Sequence, residues 1–184
     1  MLRSLVGSEM CIRDRYDDYM IQSQKKHCQQ FVLNLPASPI KRLLLETDGK
    51  VIQGVSMLFD DEMSEEPLTD VPEYLSVVAE QLRDYSLQAH NKWLVDLPEK
   101  GTVFQRKVWC YLQNIPMGTT QSYGQVAKVL NSSARAVGNA CRQNPFLLII
   151  PCHRVVKSTG IGGFGGKVDG KALAIKHWLL AHEK

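Results

Sequence analysis

No apolar run among these 184 residues approaches the roughly 20 needed for a membrane-spanning helix, which excludes that class. Disulfide scaffolding is excluded too. Five cysteines are an odd number, none at paired spacing, and point to a reducing compartment. His27-Cys28 has no second Cys/His pair at usable distance, so no metal site is expected. Gly160–Gly166 is glycine-rich but is not followed by Lys-Ser/Thr, so it is no phosphate-cradling P-loop. Internal repeats are absent. Acidic residues are scarce in one half only. Residues 101–184 hold eleven Lys and Arg against Asp169 and Glu183, a balance of +9. Residues 1–100 hold eleven bases and seventeen acids, a balance of −6, and the two sum to +3. A basic half beside an acidic half suggests a polyanionic partner for the basic half.

What is present centres on Pro151-Cys152-His153-Arg154-Val155. The preceding Phe146-Leu147-Leu148-Ile149-Ile150 reads as a buried strand. A cysteine beside a histidine, at a strand end locked by proline, is a candidate activated nucleophile, because the thiolate is the reactive form. Upstream, Thr102 to Gln105 is a capping-box pattern, with Phe104, Val108, Trp109 and Leu112 at helical spacing. Ile115-Pro116-Met117-Gly118 ends that helix. Ser122-Tyr123-Gly124-Gln125 is a second capping box, continued by Val126, Ala127, Val129 and Leu130. Asn131-Ser132-Ser133 is a turn, and a further helix opens at Ala134 and stops at Asn144-Pro145. Two short helices about a tight turn read as helix-turn-helix. The exposed candidates on its second helix are small: Ala134, Ala136, Gly138 and Ala140 surround Arg135. Major-groove readers project long polar side chains, whereas a small-residue face allows close backbone approach with little sequence readout. Cys110 and Cys141 fall inside helices and are expected to pack.

Residues 101–184 resemble the C-terminal domain of the O6-alkylguanine-DNA alkyltransferases, also called methylated-DNA–protein-cysteine methyltransferases. The resemblance rests on Gly101-Thr102-x-Phe104-Gln105, Val108-Trp109, Ile115-Pro116, Ser122-Tyr123, Arg135 to Gly138, Asn144-Pro145, Pro151 to Val155, and Leu179 to Glu183, in the family's order. Residues from about Ala37 to Pro98 resemble its N-terminal domain more loosely. The resemblance implies an α+β protein, with a small N-terminal α/β domain carrying an antiparallel hairpin and a mainly helical C-terminal domain with the helix-turn-helix. It also implies repair of duplex DNA by base flipping and suicide transfer of an alkyl group from O6-alkylguanine, or O4-alkylthymine, to Cys152. No cofactor and no metal are implied. The chain would act as a monomer, in the cytoplasm of a bacterium or the nucleus of a eukaryote.

The family's roles carry over residue by residue. His153 would act as a base through a water, and Glu183 would orient it. Tyr123 would assist the leaving oxygen and the flipping. Lys176 would polarise the site, and Asn144 would be the hinge between recognition helix and cysteine. Arg135 would fill the space left by the flipped base, with Ala134, Ala136, Gly138 and Tyr123 against the DNA. Pro151, Val155, Gly163, Phe164 and Gly165 would form the base pocket. Three departures stand out. The turn at 131–133 is about two residues short. Phe164 stands where tyrosine is frequent. Residues 167–175 form an insertion. Three rivals remain: a non-catalytic lesion-binding relative, which would lack the cysteine; a helix-turn-helix regulator, without an evident effector domain; and a Cys-His peptidase, which would hold its histidine far from its cysteine in sequence.

In the N-terminal half, Leu43–Glu46 and Val51–Phe59 read as a hairpin around Asp48-Gly49. Asp60–Asp70 reads as an acidic loop, and Val71–Tyr85 as an amphipathic helix with Leu75, Val78, Ala79 and Leu82 on one face. Leu97–Lys100 is the expected linker between a unit at 16–98 and a unit at 101–184. Residues 1–15 read as the translation of a sequencing adapter rather than as native protein, and lack the sustained apolar core of a signal peptide.

Two measurements check this reading. Mass spectrometry of the native protein is expected to yield no peptide running from Glu9 to Tyr16; finding one refutes the adapter assignment. Affinity for duplex DNA is expected to fall steeply, and log-linearly, as salt rises, because the basic half displaces condensed counterions. A flat response from low to physiological salt means that the +9 half is not the DNA face.

Overall fold

The computed structural model describes residues 28–35, 38–58, 70–90, 93–167 and 170–184. Met1–Arg15, His27 and residues 60–69 of the acidic loop lie outside them. The protein is α+β. Strand β1 (Gln29–Asn34) pairs antiparallel with β2 (Arg42–Thr47), which pairs antiparallel with β3 (Ile52–Met57). Register places Phe31 opposite Leu45 and Leu33 opposite Leu43, so one face of the sheet carries the apolar side chains inward. At the β2–β3 turn the Asp48 carboxylate accepts from the Lys50 and Val51 amides, both at 3.0 Å, and Gly49 takes φ 89°. The expected hairpin is present, with Phe59 outside the described residues. Strand β1 was not expected. Its pattern is Gln-Gln followed by three consecutive apolar residues, which lacks the alternation of a half-buried strand.

Helix α1 (Glu73–Leu87) follows and buries Leu75, Val78, Ala79 and Leu82, with Tyr85 one turn further on. Each of the buried leucines and the valine contributes about 1.5–3 kcal/mol on leaving water. Helix α2 (Val103–Gln113) opens on the expected capping box: Thr102 Oγ1 accepts from the Gln105 amide at 3.3 Å, and Gln105 Oε1 accepts from the Thr102 amide at 2.6 Å. Helix α3 (Tyr123–Val129) repeats the device with Ser122 and Gln125. A turn through Asn131, at φ 47°, leads to α4 (Ala134–Arg142), capped by Ser133. Trp109 Nε1 donates to the Ala140 carbonyl at 2.9 Å and locks α2 across α4. Val126, Val137 and Leu112 close the interior of this three-helix arrangement.

Phe146–Ile150 is buried but is not a strand. It makes one short parallel contact with β3, through the Val55 amide on Pro145 O (2.8 Å) and the Leu147 amide on Val55 O (3.0 Å). It then turns, with Leu148 at φ 71° and the Ile150 amide returning to Phe146 O. A short apolar run records burial and not backbone period, so a buried turn was mistaken for a strand. Cys152–Arg154 is one turn of 3-10 helix, not a strand end. Beyond it, β5 (Val155–Val156) lies parallel to β4 (Gln121–Ser122). Helix α5 (Gly170–His182) brings the chain end back over this turn. One continuous core includes Leu33 and Leu45 of the sheet, Leu82 of α1, Leu112 of α2 and Leu179 of α5. Among the described residues no helix is long and apolar enough to cross a membrane.

Candidate active site

The 3-10 turn holds Cys152, His153 and Arg154 in consecutive positions, all buried. Asn144, just after α4, controls the thiol's side of it. Its Nδ2 donates to Ile150 O at 2.9 Å and lies 3.3 Å from Cys152 Sγ, while its Oδ1 accepts from the Phe146 amide at 2.9 Å. One amide therefore ties the end of α4 to the cysteine turn. Burial pushes the Cys152 thiol above its ordinary range, against the opposing pull of the Asn144 hydrogen bond and the Lys176 charge.

His153 and Glu183 are in direct contact. His153 Nε2 lies 2.9 Å from Glu183 Oε1, with both side chains essentially without solvent exposure. Glu183 accepts three further bonds: Arg154 Nη2 on Oε1 (2.7 Å), Arg154 Nε on Oε2 (2.9 Å), and the Tyr85 hydroxyl on Oε1 (2.7 Å). Burial alone would raise this carboxyl. The bonds and charges of His153, Arg154 and Tyr85 outweigh it and hold Glu183 well below the usual carboxylate range. An ionised Glu183 can only accept, so His153 carries its proton on Nε2. Its Nδ1 is then the acceptor, buried and without a hydrogen-bond partner among the described residues. Burial, with Arg154 and Lys176 adding to it, lowers His153 below its ordinary value despite Glu183.

Lys176 of α5 is fully buried and donates to Val155 O (2.6 Å) and Gly163 O (3.0 Å). Burial lowers it to about 8, with the neighbouring Cys152 and Cys141 pulling the other way. Its Nζ stands 5.9 Å from the centre of the Tyr123 ring. Burial pushes the Tyr123 hydroxyl up to about 12, so it is a proton donor at neutral pH.

Cys152 opens on a cavity of about 120 Å³ whose walls include Tyr123, Gly138, Cys141, Phe164 and Gly165. That is well below the roughly 300–1,000 Å³ of pockets that enclose drug-sized ligands, and fits one ring system. Gly163 lines it as well; Pro151 and Val155 are buried and do not. On α4, Ala134 and Arg135 are exposed, and Ala136 and Gly138 half-exposed. Ala140 is buried instead of exposed, because it packs beneath Trp109, and Asn139 takes its place on the open face. Cys110 is exposed, not packed; Cys141 is buried, at the cavity wall.

Two residues at this site were not found from sequence. Arg154 lay inside the cysteine motif without a stated role. Tyr85 lay at the end of the helix reading, three residues beyond Leu82 on the same face. An aromatic hydroxyl that extends an apolar stripe is the signal, since a buried tyrosine seeks a partner.

The depressed carboxyl makes stability depend on pH. Glu183 contributes fully above its unfolded value near 4.3, and its contribution is lost as pH falls toward the lower folded value. His153 acts in the same direction, because the unfolded chain binds its proton below about 6.5 while the fold resists it. Denaturant titrations should show stability declining from about pH 6.5 and more steeply below about 4.5. Glu183→Gln should cost about 3–5 kcal/mol at neutral pH, because the buried Arg154 charge loses this carboxylate, and should remove the steep acid limb. Equal acid profiles for both proteins would contradict this.

Comparison with known proteins bears on the whole arrangement. The family model described as 6-O-methylguanine DNA methyltransferase, DNA binding domain, matches residues 103–184. A methylated-DNA–protein-cysteine methyltransferase of Mycolicibacterium paratuberculosis is 37% identical over 138 residues, covering 73% of this chain and 84% of the relative. One of Methanosarcina mazei is 37% identical over 153 residues, covering 80% and 93%. The crystal structure of Mycobacterium tuberculosis O6-methylguanine methyltransferase superposes with a TM-score of 0.69 at 34% identity, covering 85% of this chain and 93% of that one. A second structure, of the Mycobacterium tuberculosis protein in complex with DNA, superposes equally well, with a TM-score of 0.69 at 34% identity over 85% and 92%. With a buried Cys-His-Glu arrangement beside a helix-turn-helix, and relatives this similar over most of their length, the chain belongs to the methylated-DNA–protein-cysteine methyltransferase family.

Proposed function

We propose that this protein repairs duplex DNA by direct reversal, moving the alkyl group of O6-alkylguanine onto its own Cys152 in a single turnover. The observation that carries this reading is the position of Cys152. Cys152 lines a base-sized cavity that Gly138 and Cys141, of the second helix of the helix-turn-helix, line as well. A helix seated on DNA would present the cavity to a flipped nucleotide. Arg135, exposed on that helix, is suited to fill the vacated stack. Residues 101–184 then carry both chemistry and DNA contacts, 16–98 brace them, 1–15 take no part, and the protein acts as a monomer. O4-alkylthymine is a second substrate of the same shape and chemistry.

The chemistry balances without a cofactor. The Cys152 proton passes through a water to His153 Nδ1, the free acceptor, and Glu183 stabilises the imidazolium. The thiolate attacks the alkyl carbon, a carbon–sulfur bond forms and the carbon–O6 bond breaks. The electron pair goes to the guanine, whose developing charge is met by the Tyr123 hydroxyl and the Lys176 ammonium. The proton taken from Cys152 is returned from the His153 imidazolium, through water, to the guanine anion, so guanine leaves neutral, His153 is neutral again and Cys152 is left as a thioether. Water does not cleave a thioether as it cleaves an acyl-thioester, so no second cycle follows.

Incubation with methylated-guanine duplex should give a burst equal to the active protein and no steady state. Peptide mass spectrometry should find the methyl group on Cys152 and not on Cys110 or Cys141. Cys152→Ala should abolish transfer while changing duplex affinity by less than about threefold, since affinity rests on phosphate and groove contacts. Arg135→Ala should instead slow transfer while the thiol stays reactive. Repair of several moles of DNA per mole of protein, without added reductant, would overturn the suicide reaction.

A further inference from the structure

Helix α1 and the chain end meet at the active-site carboxylate. The Tyr85 ring is almost fully buried and packs between Trp93 (5.5 Å, tilted), His90 (5.7 Å, edge-on) and His182 (5.7 Å, edge-on). Its hydroxyl donates to Glu183 Oε1 at 2.7 Å. Its own carbonyl faces His182 Nε2 at 2.6 Å, and His182 stacks in turn on Trp178. The last turn of α1 is therefore clipped to the last turn of α5 twice, at the residue next to Glu183 and at Glu183 itself. Any of these contacts alone would be packing. Together they aim one hydroxyl at the oxygen that also faces His153.

We infer that Tyr85 is a positioning residue for the transfer reaction: its hydroxyl sets the orientation and the hydrogen-bonding strength of Glu183 Oε1 toward His153. This rests on the proposed function above. A carboxylate oxygen has about two lone-pair directions in its plane. Arg154 Nη2, His153 Nε2 and Tyr85 Oη already share Oε1, so the tyrosine draws off part of the negative charge that would hold an imidazolium. It also holds Oε1 from a further direction, beside the Arg154 fork that spans both carboxylate oxygens. The sign follows. Without the hydroxyl, Oε1 is more negative toward His153 and the protonated ring is favoured, while the ring and the carboxylate are held less firmly. The charged groups that act on His153 are Glu183 just after α5, Lys176 of α5 and Arg154 of its own turn, with Tyr85 of α1 acting through Glu183. None of these others changes in Tyr85→Phe.

The test uses Tyr85→Phe, which keeps the buried ring, beside Val78→Ala, which weakens the same helix away from Glu183. Two readouts are taken on the full chain: the His153 imidazole titration by NMR, assigned with His153→Asn, and the transfer rate constant on methylated-guanine duplex across pH. Tyr85→Phe is expected to raise the His153 midpoint and to slow plateau transfer by about tenfold, the scale of one hydrogen bond. Val78→Ala is expected to lower Tm and leave the His153 midpoint where it stands in the unsubstituted protein. Identical His153 titrations in Tyr85→Phe and the unsubstituted chain overturn the inference. So does an equal shift in Val78→Ala, which would make the effect general loosening. Absence of transfer by the unsubstituted chain refutes the proposed function instead, and the titration still decides the role of Tyr85.

Discussion

A carboxylate with almost no solvent exposure organises this molecule. An ionised carboxyl taken from water into a protein interior costs several kcal/mol unless its lone pairs are met. Glu183 is met by the Arg154 fork, His153 and Tyr85. Arg154 is itself buried and also donates to Ile115 O at 2.6 Å. None of these groups is tolerable alone inside the core, so they must be buried together. Their assembly brings four parts of the chain to one point: α1, the end of α2, the 3-10 turn and the end of α5. The residue before Arg154 in that turn is the candidate base, and the one before that is the candidate nucleophile. The fold's most constrained charge and its chemistry thus share one turn of backbone.

The same electrostatics explains how a reactive thiol can be stored. Burial disfavours the charged form of each member, raising Cys152 and lowering His153 and Lys176. Glu183 pulls His153 the other way, but burial outweighs it, with Arg154 and Lys176 offsetting part of that pull. At rest the site therefore holds a thiol beside a neutral imidazole, not a thiolate–imidazolium pair of the sort that makes cysteine peptidases generally reactive. In the proposed reaction, activation would then depend on what enters the cavity that Tyr123 lines, where charge develops only as the alkyl bond breaks. A group spent after one reaction benefits from such restraint, since any adventitious alkylation would waste the molecule.

Much of the arrangement was legible in the sequence, for identifiable reasons. Capping boxes at Thr102 and Ser122 are local chemistry, as is the stop at Asn144-Pro145, and local chemistry survives in sequence. The apolar face of α1 is a period-3.6 signal and was read correctly apart from its last member, Tyr85. What failed was non-local. Phe146–Ile150 advertises burial, yet its backbone turns at Leu148 because a single bridge to Val55 satisfies its first amide groups. Ala140 looks like its exposed neighbours until Trp109 is laid across it. Glu183 in isolation is a polar residue near a chain end; its partners lie 29 to 98 residues away, a distance no periodicity reaches. Residue roles carried over from the family pointed to Glu183, while Tyr85 and Arg154 needed the fold.

The glycine-rich loop shows how backbone, more than side chains, shapes the cavity. Gly162 and Gly166 hold φ of 74° and 79°, a region that L side chains rarely adopt. A Cβ on Gly162 would come within 3.2 Å of the Tyr123 ring, and one on Gly166 within 3.0 Å of the Arg142 side chain. The loop therefore lies flush against two residues of the helix-turn-helix. Across the end of this loop, the Phe164 and Lys167 backbones bond each other reciprocally at 2.8 and 3.0 Å, and the Phe164 ring is buried. The wall this makes is largely apolar and without a hydroxyl at Phe164. A flat base held there would be recognised by shape, by backbone groups and by Tyr123. The alkyl carbon would be brought to Cys152 by the shape of the slot, which the loop lines with glycine backbone, the Phe164 ring and Lys167.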